Sequence, residues 1–216
     1  MISEVLKGTK LASESQQERI ETIFYFVRDA ILFDFVDSFL SPEEVVKIRR
    51  GACMNKALLL VTLARETGIS ARLRFMWVTR EALKDLLHPI IYPFWPNPFL
   101  HTYPEVKLNG KWVSMEATFD KGLHEVLLRK RLNFARYPER TGISIEFYPD
   151  GVVGAQQFCE ANGFDPIYAR DLAPLREHVA SLPRFKQILQ PLVLRISSRR
   201  LNQKIRPGLT KGHRRR

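Results

Sequence analysis

The sequence predicts an α+β fold in which a helix packs on an antiparallel β-sheet, and three observations carry that expectation. Apolar residues recur at helical spacing after Ser15; residues 71 to 78 alternate with a period of two; and Asn109-Gly110 joins two strand-like segments. At 216 residues and 45% hydrophobic, the chain can build one domain of ordinary size with a sizeable core.

Taken in order, Ser15 followed by Glu18 reads as a capping box, and Ile20, Ile23, Phe24, Val27 and Ile31 then mark one helix face. Residues 33 to 52 carry turn chemistry at Ser41-Pro42 and end near Gly51, so they read as an irregular approach. A second helix is expected from about Cys53 to Thr67, closed by Gly68. Ala71, Leu73, Phe75 and Trp77 then alternate with their neighbours as a strand. Four prolines among Tyr92, Phe94, Trp95 and Phe99 make residues 82 to 100 a loop with an aromatic surface. The Asn109-Gly110 hairpin follows. Farther on, a short helix is expected near Gly122, a strand and turn near residues 142 to 151, and helix over 172 to 205 with interruptions at Pro183 and Pro191.

The candidate chemistry begins at Cys53. It stands at a helix start without a Ser, Thr, Asp or Asn cap, where free backbone amides and the helix dipole favour an anion. Lys56 adds positive charge in the first turn. The bland alternative is a small buried residue packing a helix end. The hairpin supplies partners. With Asn109 and Gly110 as the turn, Tyr103 faces Glu116 and His101 faces Thr118, so His101, Tyr103, Glu116, Thr118 and Asp120 share one side. Glu116 is then a diagonal neighbour of His101, roughly 7 to 8 Å away by backbone, within reach of its side chain. Asp120, on the other diagonal, is the alternative acid.

The blocks FYFVRDAI at 24 to 31, GACMNKALLLVTLARETGISAR at 51 to 72 and HTYPEVKLNGKWVSMEATFD at 101 to 120 together resemble the transglutaminase-like superfamily. The resemblance implies a papain-like core with a nucleophile helix on an antiparallel sheet. It places the nucleophile on Cys53, the histidine on His101 and the acid on Glu116, where the family usually has Asp. It implies acyl transfer: Cys53 attacks a carbonyl, a thioester forms as an amine leaves, and water or a second amine resolves it. The Cys53 amide is a candidate oxyanion donor. A noncatalytic module that keeps the fold and binds a partner is the alternative.

Trp95, in the aromatic stretch before His101, and Tyr103 are the candidate substrate-binding residues, for a protein or peptide substrate. No cofactor and no metal is expected, because no Cys-x-x-Cys or His-x-x-x-His spacing occurs. His88, His124 and His178 read as solvated, and Cys159 as a packing residue. Between 195 and 216 there are nine basic and no acidic residues, which leaves +2 of the net +11 for the rest. The expected organisation is a transglutaminase-like domain over 1–172 with its motif core at 20–120, a helical extension over 173–194, and a basic C-terminal tail over 195–216. That tail has three readings: contact with an anionic membrane, contact with a nucleic acid, or a solvated terminus. Two cysteines and no apolar leader make a reducing, cytoplasmic setting the expectation.

Overall fold

The computed structural model describes residues 15–84, 86–129 and 167–206. Ser15 caps helix α1 (Gln16–Tyr25) with a reciprocal Glu18 box, and the chain continues as one π-helical turn to Ala30. Strand β1 (Leu32–Phe33) pairs in parallel with β2 (Arg50–Gly51). Between them lies helix α2 (Pro42–Ile48), which the irregular reading of residues 33 to 52 missed. Its signal was present: Ser41 and Glu44 form a second capping box, with Pro42 at the first helical position, where no backbone donor is lost.

Helix α3 (Cys53–Glu66) is the central helix, and Leu59, Leu60, Val61, Leu63 and Ala64 are buried along it. Strand β3 (Ala71–Val78) pairs antiparallel with β4 (Phe99–Leu108), which pairs with β5 (Lys111–Ser114), and β6 (Ile167–Ala169) adds to the other edge of β3. The sheet order is β5-β4-β3-β6. Ala71, Leu73 and Phe75 of β3 and Leu100, Val106 and Leu108 of β4 join the α3 side chains in the main core. This is the expected α+β arrangement. Asn109 and Gly110 both take positive φ, 48° and 80°, the geometry of a tight hairpin turn matched to strand twist.

The stretch from 82 to 100 is shorter as a loop than expected, since β4 already starts at Phe99. Its two short 3₁₀ turns are Arg80–Leu83 and Tyr92–Phe94. Leu83, Leu86, Leu87 and Ile91 turn inward into a second core with Phe33, Phe35, Leu123, Val126, Leu201 and Ile205. Ile90 and Phe94 point outward, each 69% exposed.

Helix α4 (Lys121–Arg129) follows the hairpin, and α5 (Ala173–Ser181) and α6 (Arg184–Arg200) end the described chain. Pro183 separates α5 from α6 as expected, but α6 runs through Pro191 and on as a π-helical turn to Ile205. No element ends at 194, so the expected boundary before the basic segment falls inside a helix. Leu201, Ile205 and Arg206 are buried. The strand expected near 142 to 151, and Cys159, lie outside the described residues. Among the described residues, no helix is long and apolar enough to cross a membrane.

Candidate functional site

Strand β2 feeds directly into α3, so the chain turns from Gly51 through Ala52 into Cys53 with no room for a larger residue. A Cβ on Gly51 would lie 3.0 Å from Lys56 Cγ and 3.2 Å from Asn55 Cβ. Ala52, the residue before the helix, has no side chain with which to cap it. Asn55 serves instead: its Oδ1 accepts from the Ala52 amide at 2.9 Å and its Nδ2 donates to the Asp37 carbonyl at 2.9 Å. Asn55 thus ties the helix start to the preceding loop. Sequence reasoning missed it, although a short amide side chain three residues after the cap was the available signal.

Cys53 is a free thiol, 9% exposed. Its Sγ lies 3.5 Å from Met54 Sδ. The first-turn amides of any helix lack intrahelical acceptors, so negative charge at this position is favoured.

The hairpin register is the expected one. Glu105 pairs with Ser114 and Val106 with Val113, and the Met115 amide still donates to the Pro104 carbonyl at 2.9 Å. Glu116 therefore arrives opposite Tyr103 and diagonal to His101. Its Oε2 lies 2.7 Å from His101 Nε2, while Oε1 accepts from the Thr118 amide at 2.9 Å. The extra methylene of glutamate is absorbed by this second bond, which fixes the carboxylate plane. With Nε2 given to Glu116, Nδ1 is the ring nitrogen left for a second partner, and the Cys53 sulfur is one of the groups that favour the charged ring. Burial of the ring opposes its charge, but the Glu116 carboxylate and the Cys53 sulfur outweigh burial and raise the His101 pKa to about 10. The arrangement keeps an imidazolium between a sulfur and a carboxylate.

Asp120, the alternative acid, is engaged elsewhere. Its Oδ2 accepts from the Phe33 amide at 2.8 Å and pairs with Arg206, and its Oδ1 accepts from the Leu123 amide at 2.9 Å at the start of α4. Both oxygens are occupied away from His101.

Tyr103 does not present a face to a substrate. It is 2% exposed, its hydroxyl donates to Met76 Sδ at 3.1 Å, and its ring lies 6.1 Å from that of His101. It packs beside the imidazole. Trp95 sits in an aromatic chain, edge-on to Phe35 at 5.9 Å and to Phe99 at 6.2 Å, with its indole nitrogen unpartnered in the described structure. Lys56 does not present its charge at the surface: it is fully buried, and Nζ donates to the Arg28 carbonyl at 3.1 Å. Burial lowers its pKa to about 7 against the attraction of Asp120, Asp29 and Glu116. Neither His88 nor His178 is simply solvated. His88 Nδ1 accepts from the Ile90 amide at 3.3 Å, and the half-buried His178 packs edge-on to Trp77 at 4.9 Å.

A search of curated proteins finds no match. Among solved structures, the chain is similar to a protein of Cytophaga hutchinsonii provisionally described as a cysteine protease, at 20% identity and a TM-score of 0.40. That similarity covers 54% of this chain and 36% of the other. The family model of the transglutaminase-like superfamily matches residues 4–117, a span that holds Cys53, His101 and Glu116. The chain belongs to the transglutaminase-like superfamily.

Proposed function

We propose that the protein is a thiol enzyme that opens an amide or peptide bond through a Cys53 thioester. The observation that carries this reading is the His101 ring, held at Nε2 by Glu116 at 2.7 Å and close enough to Cys53 for the sulfur to help raise its pKa.

In the proposed reaction the Cys53 thiolate attacks the carbonyl carbon, and the pair of electrons from the C=O bond moves onto oxygen. The Cys53 backbone amide donates to that oxyanion. As the C–N bond breaks, His101 Nδ1 gives its proton to the departing amine, and the thioester remains. Water or a second amine then gives up a proton to the neutral imidazole, attacks the thioester and restores the thiolate. Glu116 keeps the imidazole in the orientation that both transfers need. The substrate class we propose is a protein or peptide, with the exposed Ile90 and Phe94 beside the Trp95 chain as its apolar contact.

Labelling with a panel of acyl electrophiles, wild type against Cys53→Ala, tests this. Cys53 should also alkylate at neutral pH much faster than Cys159, and His101→Ala should slow it. Equal, slow labelling of both thiols would leave a noncatalytic binding module as the better reading.

Contact of the basic end with an anionic membrane or a nucleic acid remains a proposal that rests on charge. Its test is removal of residues 207–216 alone, because residues up to 206 are built into the fold. Salt-sensitive binding to anionic vesicles or nucleic acid should disappear; unchanged binding would exclude those residues.

A further inference from the structure

Behind the candidate site lies a second polar cluster that no step of the acyl transfer uses: Asp34, Arg50, Asp120, Asn202 and Arg206. Arg206 is 1% exposed and both carboxylates are 2% exposed. Two of the five members come from the last turn of the described chain, far in sequence from the rest.

We infer that Asn202 and Arg206 are positioning residues for the nucleophile, clamping the β1–β2 strand pair that delivers Cys53. The inference rests on the proposed role of Cys53. Strands β1 and β2 are two residues each, joined by the Leu32 amide to the Arg49 carbonyl at 3.0 Å and the Asp34 amide to the Gly51 carbonyl at 3.1 Å. So short a pair does not hold itself together in water. Yet β2 ends two residues before Cys53, so any drift of the pair moves the sulfur.

The C-terminal turn grips both strands. On β1, Arg206 Nη1 donates to the Phe33 carbonyl at 2.7 Å while its partner Asp120 accepts the Phe33 amide, so both backbone groups of Phe33 are held. On β2, Arg50 Nη1 donates to Asn202 Oδ1 at 3.1 Å and to Asp34 Oδ2 at 2.6 Å. Asn202 Nδ2 donates to the same Asp34 oxygen at 2.9 Å. Asn202 lies within the final π-helical turn and Arg206 caps its end. Leu201 and Ile205 seal the grip by packing with Phe33 and Phe35.

Charge balance points the same way. Arg206 neutralises Asp120, which leaves Glu116 as the carboxylate for His101.

The test uses the full chain carrying Arg206→Met together with Asp120→Asn, which removes both charges at once, and separately the milder Asn202→Ala in case the double variant does not fold. Amide hydrogen exchange at Leu32 and Asp34 reads the strand pair, and iodoacetamide alkylation of Cys53 across pH reads the site. Faster exchange at both amides is expected, with alkylation at neutral pH slowed by about tenfold or more, since small misplacements of reacting groups cost this much. Arg206→Lys should fall between. A folded variant with faster exchange but the wild-type alkylation rate and pH profile would make the turn merely structural and overturn the inference, as would unchanged exchange. If wild-type Cys53 labels no faster than Cys159, the proposed function fails by itself. The clamp is then judged by NMR titration of the His101 ring, whose midpoint should fall in the variant; an unmoved midpoint overturns it.

Discussion

Glu116 and Asp120 leave the same hairpin four residues apart, and both are buried, yet they work in different neighbourhoods. Glu116 shares one oxygen with the His101 ring and the other with a backbone amide two residues on. Asp120 caps α4, holds the Phe33 amide and pairs with Arg206. One carboxylate faces a titrating ring and the other a permanent cation. The difference teaches that burial and strand face do not assign a catalytic acid: what each oxygen already binds decides whether it remains for the imidazole.

Removing the Asp120 carboxylate should break the comparison most severely. Asp120→Ala leaves the Arg206 guanidinium buried without its counter-ion, and such losses cost about 3 to 5 kcal/mol. A denaturant midpoint measures it, and a variant as stable as wild type would mean that the pair contributes nothing. Glu116→Gln should be far milder for folding but should slow Cys53 alkylation by about 100-fold, the lower end for loss of a positioned acid–base partner. Asp120→Asn, by comparison, should leave more of the thiol reactivity. The reverse order would reassign the acid.

Next in size is Gly51→Ala. The added methyl meets the Lys56 and Asn55 side chains, and overpacking of this kind costs about 1 to 3 kcal/mol. The midpoint should fall, and Cys53 labelling should slow with it.

The pH dependence of stability adds a further contrast, because the two buried bases have opposite signs. The His101 pKa is raised from 6.5 to about 10, so its stabilising contribution is fully present below pH 6.5 and is lost as pH rises through about 10. The Lys56 pKa is lowered from 10.5 to about 7, so its cost is fully present below pH 7 and is relieved as pH rises toward 10.5. His101→Gln should therefore destabilise most at pH 6 and least near pH 10. Lys56→Met should remove the rising component between pH 7 and pH 10. Midpoints measured every unit of pH check both slopes.

Much of this site was legible in the chain. The period of two at 71 to 78, the capping box at Ser15 and the Asn109-Gly110 turn are local rules. The turn alone sets which residue of β4 faces which residue beyond β5, and the meeting of His101 and Glu116 follows from that register. Helix α2 was legible too, through Ser41, Pro42 and Glu44, but was passed over because the run around it lacks a long apolar period. Tyr103 lies beside His101 as the strand face implies, but it was read as a substrate contact, because a strand face does not reveal how much chain will cover it.

Legible in the chain alone are therefore the helices at Ser15 and Cys53, the strand at 71 to 78, and the pairing of positions across one tight hairpin. Each depends on groups a few residues apart, where backbone geometry leaves few choices. Long-range packing settles the inward turn of Lys56, the engagement of Asp120 and the burial of Arg206 in a segment that reads as a basic tail. Arg206 reaches Asp120 across 86 residues and Phe33 across 173. No periodicity spans such distances: these contacts form because apolar packing of Leu201 and Ile205 brings a cation to a carboxylate already out of water, where it must be paired.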